Sequence, residues 1–125
     1  MNIPEQLRYT REHEWCRIDG TEAVIGITRF AADQLGDIVF VELPALAARL
    51  QAQQSFGTVE SVKSVSDLYA PISGTVTAVN NALNDAPQLV NEDPYDGGWM
   101  IRIRPDDPAA IELLMTAAQY RAHVS

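Results

Sequence analysis

Along most of this chain hydrophobic and polar positions alternate with a period of two, and turn residues cut the alternation at short intervals. Residues 1–12, with Pro4, read as an irregular lead-in. Glu14-Trp-Cys-Arg-Ile-Asp19 alternates and puts Trp15 and Arg17 on one face. Asp19-Gly20 is a turn signal and Ala23-Val-Ile-Gly-Ile27 a return strand, so a hairpin is expected. Thr28 is an N-cap and Gly36 a C-terminal stop for a short helix over Arg29–Leu35, packed by Phe30 and Leu35. Asp37–Leu43, rich in β-branched and aromatic residues, reads as a buried strand ended by Pro44. Ala45–Gln54 stays open between helix, by propensity, and loop.

Phe56–Val62 and Leu68–Ile72 are extended, and Thr75–Val79 is a strand followed by a turn at Asn80-Asn81. One short helical turn fits between Pro87 and Pro94. Gly97-Gly98 reads as a hinge into Trp99–Arg104, which sets Trp99, Ile101 and Ile103 on one face. Asp107 as N-cap and Pro108 at the first helical position open a C-terminal amphipathic helix, with Ile111, Leu114, Met115 and Ala118 at helical spacing. So many short strands with few helices predict a mainly β fold, a small sandwich or barrel. Gly36–Val41 and Gly74–Val79 both read as glycine leading into an apolar strand. A two-fold repeat inside one sandwich would produce this echo, and so would chance.

Composition narrows the function classes. A chain of 125 residues, 46% hydrophobic and 21% charged, fits one globular domain over 1–125. Its net charge of −8 argues against nucleic acid and anionic membranes, which are bound through Lys and Arg, and favours basic partner surfaces or plain solubility. No apolar run is long enough for a membrane helix, and Met1–Leu7 has no signal-peptide character, so a cytoplasmic monomer is expected. The single cysteine, Cys16, excludes an internal disulfide, and its strand position suggests a buried, inert thiol. His13 and His123 lie at opposite ends and form no zinc-ligand pattern. His13, between Glu12 and Glu14, reads as a surface residue or partner contact. No nucleophile–base set, paired-carboxylate spacing or phosphate loop appears, so the chain is expected not to be an enzyme.

Lysine changes the picture. Of nine basic residues eight are Arg, and the one Lys is Lys63. Arg replaces Lys where charge alone matters, but not where a primary amine must act as a nucleophile. Small polar residues, Ser61, Ser64 and Ser66, surround Lys63, and extended segments flank it, so a turn there would present the amine outward. An ordinary surface lysine in a loop is the plainer alternative.

Gly57-Thr-Val-Glu-Ser-Val-Lys-Ser-Val-Ser-Asp-Leu-Tyr-Ala-Pro-Ile-Ser-Gly-Thr-Val-Thr-Ala-Val-Asn80 resembles the lipoylation segment of the glycine cleavage system H proteins. Tyr9–Trp15, Leu35–Pro44 and Leu89–Trp99 are similar to three further blocks of that family, in the same order and spacing. The resemblance implies a lipoyl-domain fold, a barrel-sandwich hybrid of two antiparallel sheets with extra helices. It implies lipoate bound to Lys63 as an amide, with Glu60 and Gly74 recognised by the lipoate-attaching enzyme. Glu60 is otherwise a strand surface charge, and Gly74 a turn with positive φ.

The implied role is a swinging arm. It would carry the aminomethyl group of glycine from a pyridoxal-phosphate decarboxylase to a folate-dependent aminomethyltransferase, before a flavin dihydrolipoyl dehydrogenase reoxidises it. By family position Glu12 and Glu14 line a cleft that shelters the loaded arm. Ala47 and Gln53 stand where the family has glycines, which leaves 45–54 open to a more helical form or a different partner. A lipoyl scaffold passing lipoate onward, or an unmodified interaction module, are the alternatives. A biotinyl carrier fits poorly, because Val62 and Ser64 replace the methionines that flank such lysines.

Overall fold

The computed structural model describes residues 2–125. Its nine strands are β1 (Arg8–Tyr9), β2 (Glu14–Asp19), β3 (Glu22–Ile27), β4 (Ile38–Glu42), β5 (Arg49–Leu50), β6 (Ser55–Ser61), β7 (Val65–Tyr69), β8 (Gly74–Val79) and β9 (Ile101–Pro105). Four short helices join them: α1 (Arg29–Leu35), α2 (Ala82–Asp85), α3 (Leu89–Glu92) and α4 (Ala117–Val124), with a 3-10 helix at Pro108–Leu113. Every pairing is antiparallel, in a six-stranded sheet of order β1-β2-β3-β9-β8-β5 and a three-stranded sheet of order β4-β6-β7. This is the mainly β, two-sheet fold expected, and the lead-in contributes a strand that the irregular reading missed.

The larger sheet is buried on both faces. Cys16, Ile25, Ile101 and Ile103 face the three-stranded sheet and share a core with Val41, Val59 and Leu68. Trp15 and Val24 face the other way, into a second cluster with Ile3, Leu7, Tyr9, Ala117 and Tyr120. Gly26 opposes Trp15 across the hairpin, and a Cβ there would lie 2.8 Å from the indole. Only a bare backbone lets the ring lie flat on β3. Arg17 reaches over the same ring, 5.9 Å from its centre, as the shared face predicted.

Helix α1 has the caps expected of it: Thr28 accepts from the Ala31 amide, and Gly36 closes the helix at φ 80°. The C-terminal stripe does not form one helix. Asp107 and Pro108 open only the 3-10 turn, Met115 pairs with Tyr9 as a β-bridge, and α4 starts afresh at Thr116, capped by a reciprocal Thr116–Gln119 box. The α4 helix then buries Ala117 and Tyr120. Trp99 also departs from expectation: it precedes β9 and packs against the second cluster, while Ile101 and Ile103 enter the main core. Helix α2 was not foreseen, and α3 occupies the turn expected between the prolines. Segment 45–54 is not helical but consists of turns around β5.

Strand β4 is half-buried rather than buried. Ile38 pairs with Ser61 and Phe40 with Glu60, so one extra residue sits on β4. This bulge leaves Val39 and Phe40, successive residues, 47% and 51% exposed. Strand β8 carries the same irregularity between Val76 and Ala78, 38 positions on. The echo of Gly36–Val41 in Gly74–Val79 therefore extends to an equivalent bulge, one in each sheet.

Candidate functional site

Strand β7 begins at Val65, earlier than the alternation suggested, so only Val62, Lys63 and Ser64 separate β6 from β7. None of the three has positive φ, the usual device of so short a turn. Other groups hold it. The Ser61 amide donates to the Ser64 carbonyl at 2.8 Å. The buried Ser61 Oγ accepts from the amides of Lys63 (3.3 Å) and Ser64 (3.1 Å). The Val62 amide donates to the Asp37 carbonyl at 3.1 Å, which ties the tip to the loop between α1 and β4. Lys63 is exposed, and a methyl added to Gly36 would sit 3.5 Å from its Cε and 4.0 Å from Nζ, so the stem lies across bare glycine backbone. The sequence marked Ser61 only as a small polar neighbour; its burial and its three bonds make it the organiser of the turn.

The loop beneath is clamped in turn. Asn91 donates to the Gly36 carbonyl at 2.8 Å and accepts from the Ile38 amide at 2.9 Å, and Arg29 bonds the Asn91 and Glu92 carbonyls. Asn91 was not singled out beforehand, though it stands within the block Leu89–Trp99. Glu60 is exposed on β6, paired with Phe40 on one side and Val65 on the other. Gly74 lies in the other sheet and is buried without positive φ. A Cβ there would meet the Arg104 carbonyl at 2.5 Å, so close packing, not a turn, requires glycine.

From the tip, β7 leads toward a cleft of about 480 Å³ lined by Tyr9, Thr10, Glu12, Glu14, Tyr69 and Leu113. Glu14 is fully buried. Thr10 Oγ1 donates to its carboxylate at 2.6 Å and the Tyr69 amide at 3.2 Å. Burial outweighs these bonds and pushes its carboxyl up to about 7. Glu12 lies at the exposed rim. Glu12 and Glu14 thus line one cleft together.

His13 is half-buried rather than a free surface residue. At φ 76° it turns inward, its Nδ1 lies 2.8 Å from Tyr120 Oη, and its ring packs on Phe30. Burial, then His123, lowers its pKa. The Cys16 thiol is buried and pushed up to about 12, as inertness requires. Among the described residues no acidic, His or Cys cluster could hold a metal ion, and no helix is long and apolar enough to cross a membrane.

A family model described as glycine cleavage H-protein matches residues 7–125. The glycine cleavage system H protein of Geobacillus kaustophilus is 58% identical over 125 residues, covering 100% of this chain and 98% of that protein. That of Magnetococcus marinus is 60% identical over 122 residues, covering 98% and 87%. The crystal structure of a glycine cleavage system H protein from Mycobacterium marinum matches with TM-score 0.88 at 39% identity, covering 98% of each chain. With one lysine raised on a braced hairpin and a family model spanning nearly all of the sequence, the chain belongs to the glycine cleavage H-protein family.

Proposed function

We propose that Lys63 is the residue through which this chain serves as the lipoyl carrier of the glycine cleavage system. The observation that carries the reading is the placement of its one lysine: exposed, at the tip of a three-residue turn, on a backbone held by Ser61 and Asp37. The site fits an acyl group. The flanking Ser64 is small, both neighbours are exposed, and the lysine stem crosses Gly36 without a side chain in its way. When bound as an amide on Nζ, a lipoyl group supplies a reducible disulfide able to carry an aminomethyl unit.

The chain's own contribution is positional. Bonds from Ser61 and Asp37 fix where the amine starts. Val65, Asp67 and Tyr69 alternate onto one face of β7 and lead from the tip toward the cleft, a span of roughly 13 Å at the usual rise. There Glu12 offers an exposed carboxylate at the rim to a cationic amine, and the buried Glu14 lines the wall beside Leu113 and Tyr9. In this reading the chain acts as a carrier, and the chemistry belongs to the enzymes its arm visits.

The partners we assign are a pyridoxal-phosphate glycine decarboxylase, a folate-dependent aminomethyltransferase, a flavin dihydrolipoyl dehydrogenase and a lipoate-attaching enzyme. The setting is the cytoplasm, with 1–125 acting as one carrier domain. Glu60 and Gly74 serve recognition by the attaching enzyme, Glu60 directly and Gly74 through the placement of β8. The test is intact mass and peptide mapping of protein from its host, with Lys63→Arg beside it, followed by glycine decarboxylation with the partner enzymes. A lipoyl increment on Lys63, lost with decarboxylation in Lys63→Arg, is the expected result. A loaded Lys63 that supports no decarboxylation would move the chain to lipoate relay, and an unloaded one would end the carrier reading.

A further inference from the structure

Helix α4 is lightly held, since Ala117 and Tyr120 are its only buried residues. Tyr120 is the anchor. Its ring stacks on Tyr9 with centroids 4.6 Å apart, and its hydroxyl lies 2.8 Å from both Thr28 Oγ1 and His13 Nδ1. His123, three residues on, meets the same segment. Its Nε2 lies 3.1 Å from the Arg11 carbonyl, and its ring centre is 5.7 Å from that of His13. Helix α4 thus grips the stretch from Tyr9 to His13, and that stretch also gives Tyr9, Thr10, Arg11 and Glu12 to the cleft.

Burial fixes the direction of the hydrogen bonds. Thr28 Oγ1 is buried and already accepts from the Ala31 amide, so among the described residues its own proton has Tyr120 Oη as its partner. Tyr120 then donates to His13 Nδ1, which must be an acceptor, with the imidazole neutral and its proton on Nε2. A proton arriving at Nδ1 reverses the chain. His13 would donate to Tyr120 and Tyr120 to Thr28, and the Thr28 proton would be left buried without an acceptor. Burial and His123 both lower the pKa of His13, and Glu12 counters them only in part. Glu14 next to it loses its own charge over the same range, its carboxyl being pushed up to about 7. The phenols of Tyr9, Tyr95 and Tyr120 are raised and stay neutral. Arg11 adds like charge, and Arg121 is paired with Glu5.

We propose that the Thr28–Tyr120–His13 chain is an acid-sensitive latch, which fastens α4 to the cleft wall while His13 is neutral and loosens the wall when His13 takes up a proton. Tyr120 and His13 are then positioning residues for whatever the cleft holds, and the latch does not depend on what Lys63 carries. Folding disfavours the charged ring, so the latch is complete above the ordinary histidine value of 6.5 and weakens as pH falls below it.

The test is amide exchange in the unmodified full chain, corrected for intrinsic rates. Between pH 7.5 and pH 5, protection of the α4 amides and of the Thr10 and His13 amides should fall about tenfold relative to Ile25 and Ile101 in the core, the effect of one orphaned buried hydroxyl. Imidazole nitrogen shifts should show His13 neutral at pH 7.5, with its proton on Nε2. His13→Asn accepts left-handed backbone and keeps an acceptor oxygen, but does not titrate. It should hold wild-type protection at both pH values. Tyr120→Phe keeps the stacked ring, and should start about tenfold low in α4 and fall no further. Wild-type protection that does not change with pH would overturn the latch. A fall that persists in His13→Asn would overturn it too, and place the sensitivity at Glu14. A fall confined to α4, with Thr10 and His13 unchanged, would overturn its hold on the cleft wall.

Discussion

The carboxamide of Asn91 spans the two sides of the loop at Gly36, donating to the Gly36 carbonyl at 2.8 Å and accepting from the Ile38 amide at 2.9 Å. Between those points lies Asp37, whose carbonyl receives the Val62 amide beside Lys63. A short side chain on α3 thus sets the height of the lysine tip in a different part of the molecule. Replacing Asn91 with Ala should cost about 1–3 kcal/mol, the usual range when partly buried backbone groups lose their partners. Urea unfolding measures that loss. Amide exchange at Val62 should quicken more than at Val59 in the core, because the acceptor at Asp37 is no longer held.

Much of this architecture was legible in the sequence where local chemistry decides structure. The hairpin at Asp19-Gly20 and the Thr28 and Gly36 caps are short-range signals, and the structure keeps them. What stayed hidden depends on distant partners. The period-two pattern in 37–43 cannot reveal the bulge that exposes Phe40, because register is fixed by β6. The stripe from Ile111 to Ala118 has helical spacing, yet pairing of Met115 with Tyr9 overrides it. At the site the uniqueness of Lys63 was visible at once. The roles of Ser61, Asp37 and Asn91 were not, since each acts through bonds to backbone that composition does not encode.

Ala47 and Gln53 hold left-handed backbone, at φ 68° and 71°. The segment 45–54 around them forms turns and no helix. Both are exposed, and their amides bond the carbonyls of Val76 and Ala70, which anchor the loop and keep φ positive. An L-residue in this region is disfavoured by roughly 1–2 kcal/mol, while glycine carries an entropy cost of about 0.5–1 kcal/mol. Ala47→Gly and Gln53→Gly should therefore each stabilise the fold by about 0.5–1 kcal/mol, read as a higher denaturation midpoint. Ala47→Val should lower it.

Gly74→Ala should behave differently, because its φ is ordinary and the obstacle is contact. The new methyl would lie 2.5 Å from the Arg104 carbonyl and 3.1 Å from Ile103 Cδ1. Strands β8 and β9 must part locally, at a cost of about 1–3 kcal/mol, as overpacking usually exacts. Thermal unfolding checks the loss. Lipoate loading, measured well below the midpoint, should fall only as far as the folded fraction falls. A larger drop would mean that the attaching enzyme touches Gly74 itself.

Glu14 couples the cleft to pH. Burial raises its carboxyl from the ordinary 4.5 to about 7, so between those values the folded chain holds a proton that the unfolded chain has lost. The stability this proton brings is complete below pH 4.5 and is lost as pH rises through 7, by at most roughly 3 kcal/mol. His13 acts in the opposite sense. Its pKa is lowered, so its contribution grows as pH rises toward 6.5 and partly masks the Glu14 effect in the wild type. Comparison with Glu14→Gln isolates the carboxyl, because both proteins share His13. Urea unfolding from pH 5 to pH 8 should show the wild type losing stability relative to Glu14→Gln across that range. Parallel curves would mean that Glu14 stays ionised in its cleft, held by Thr10 and the Tyr69 amide against the pull of burial.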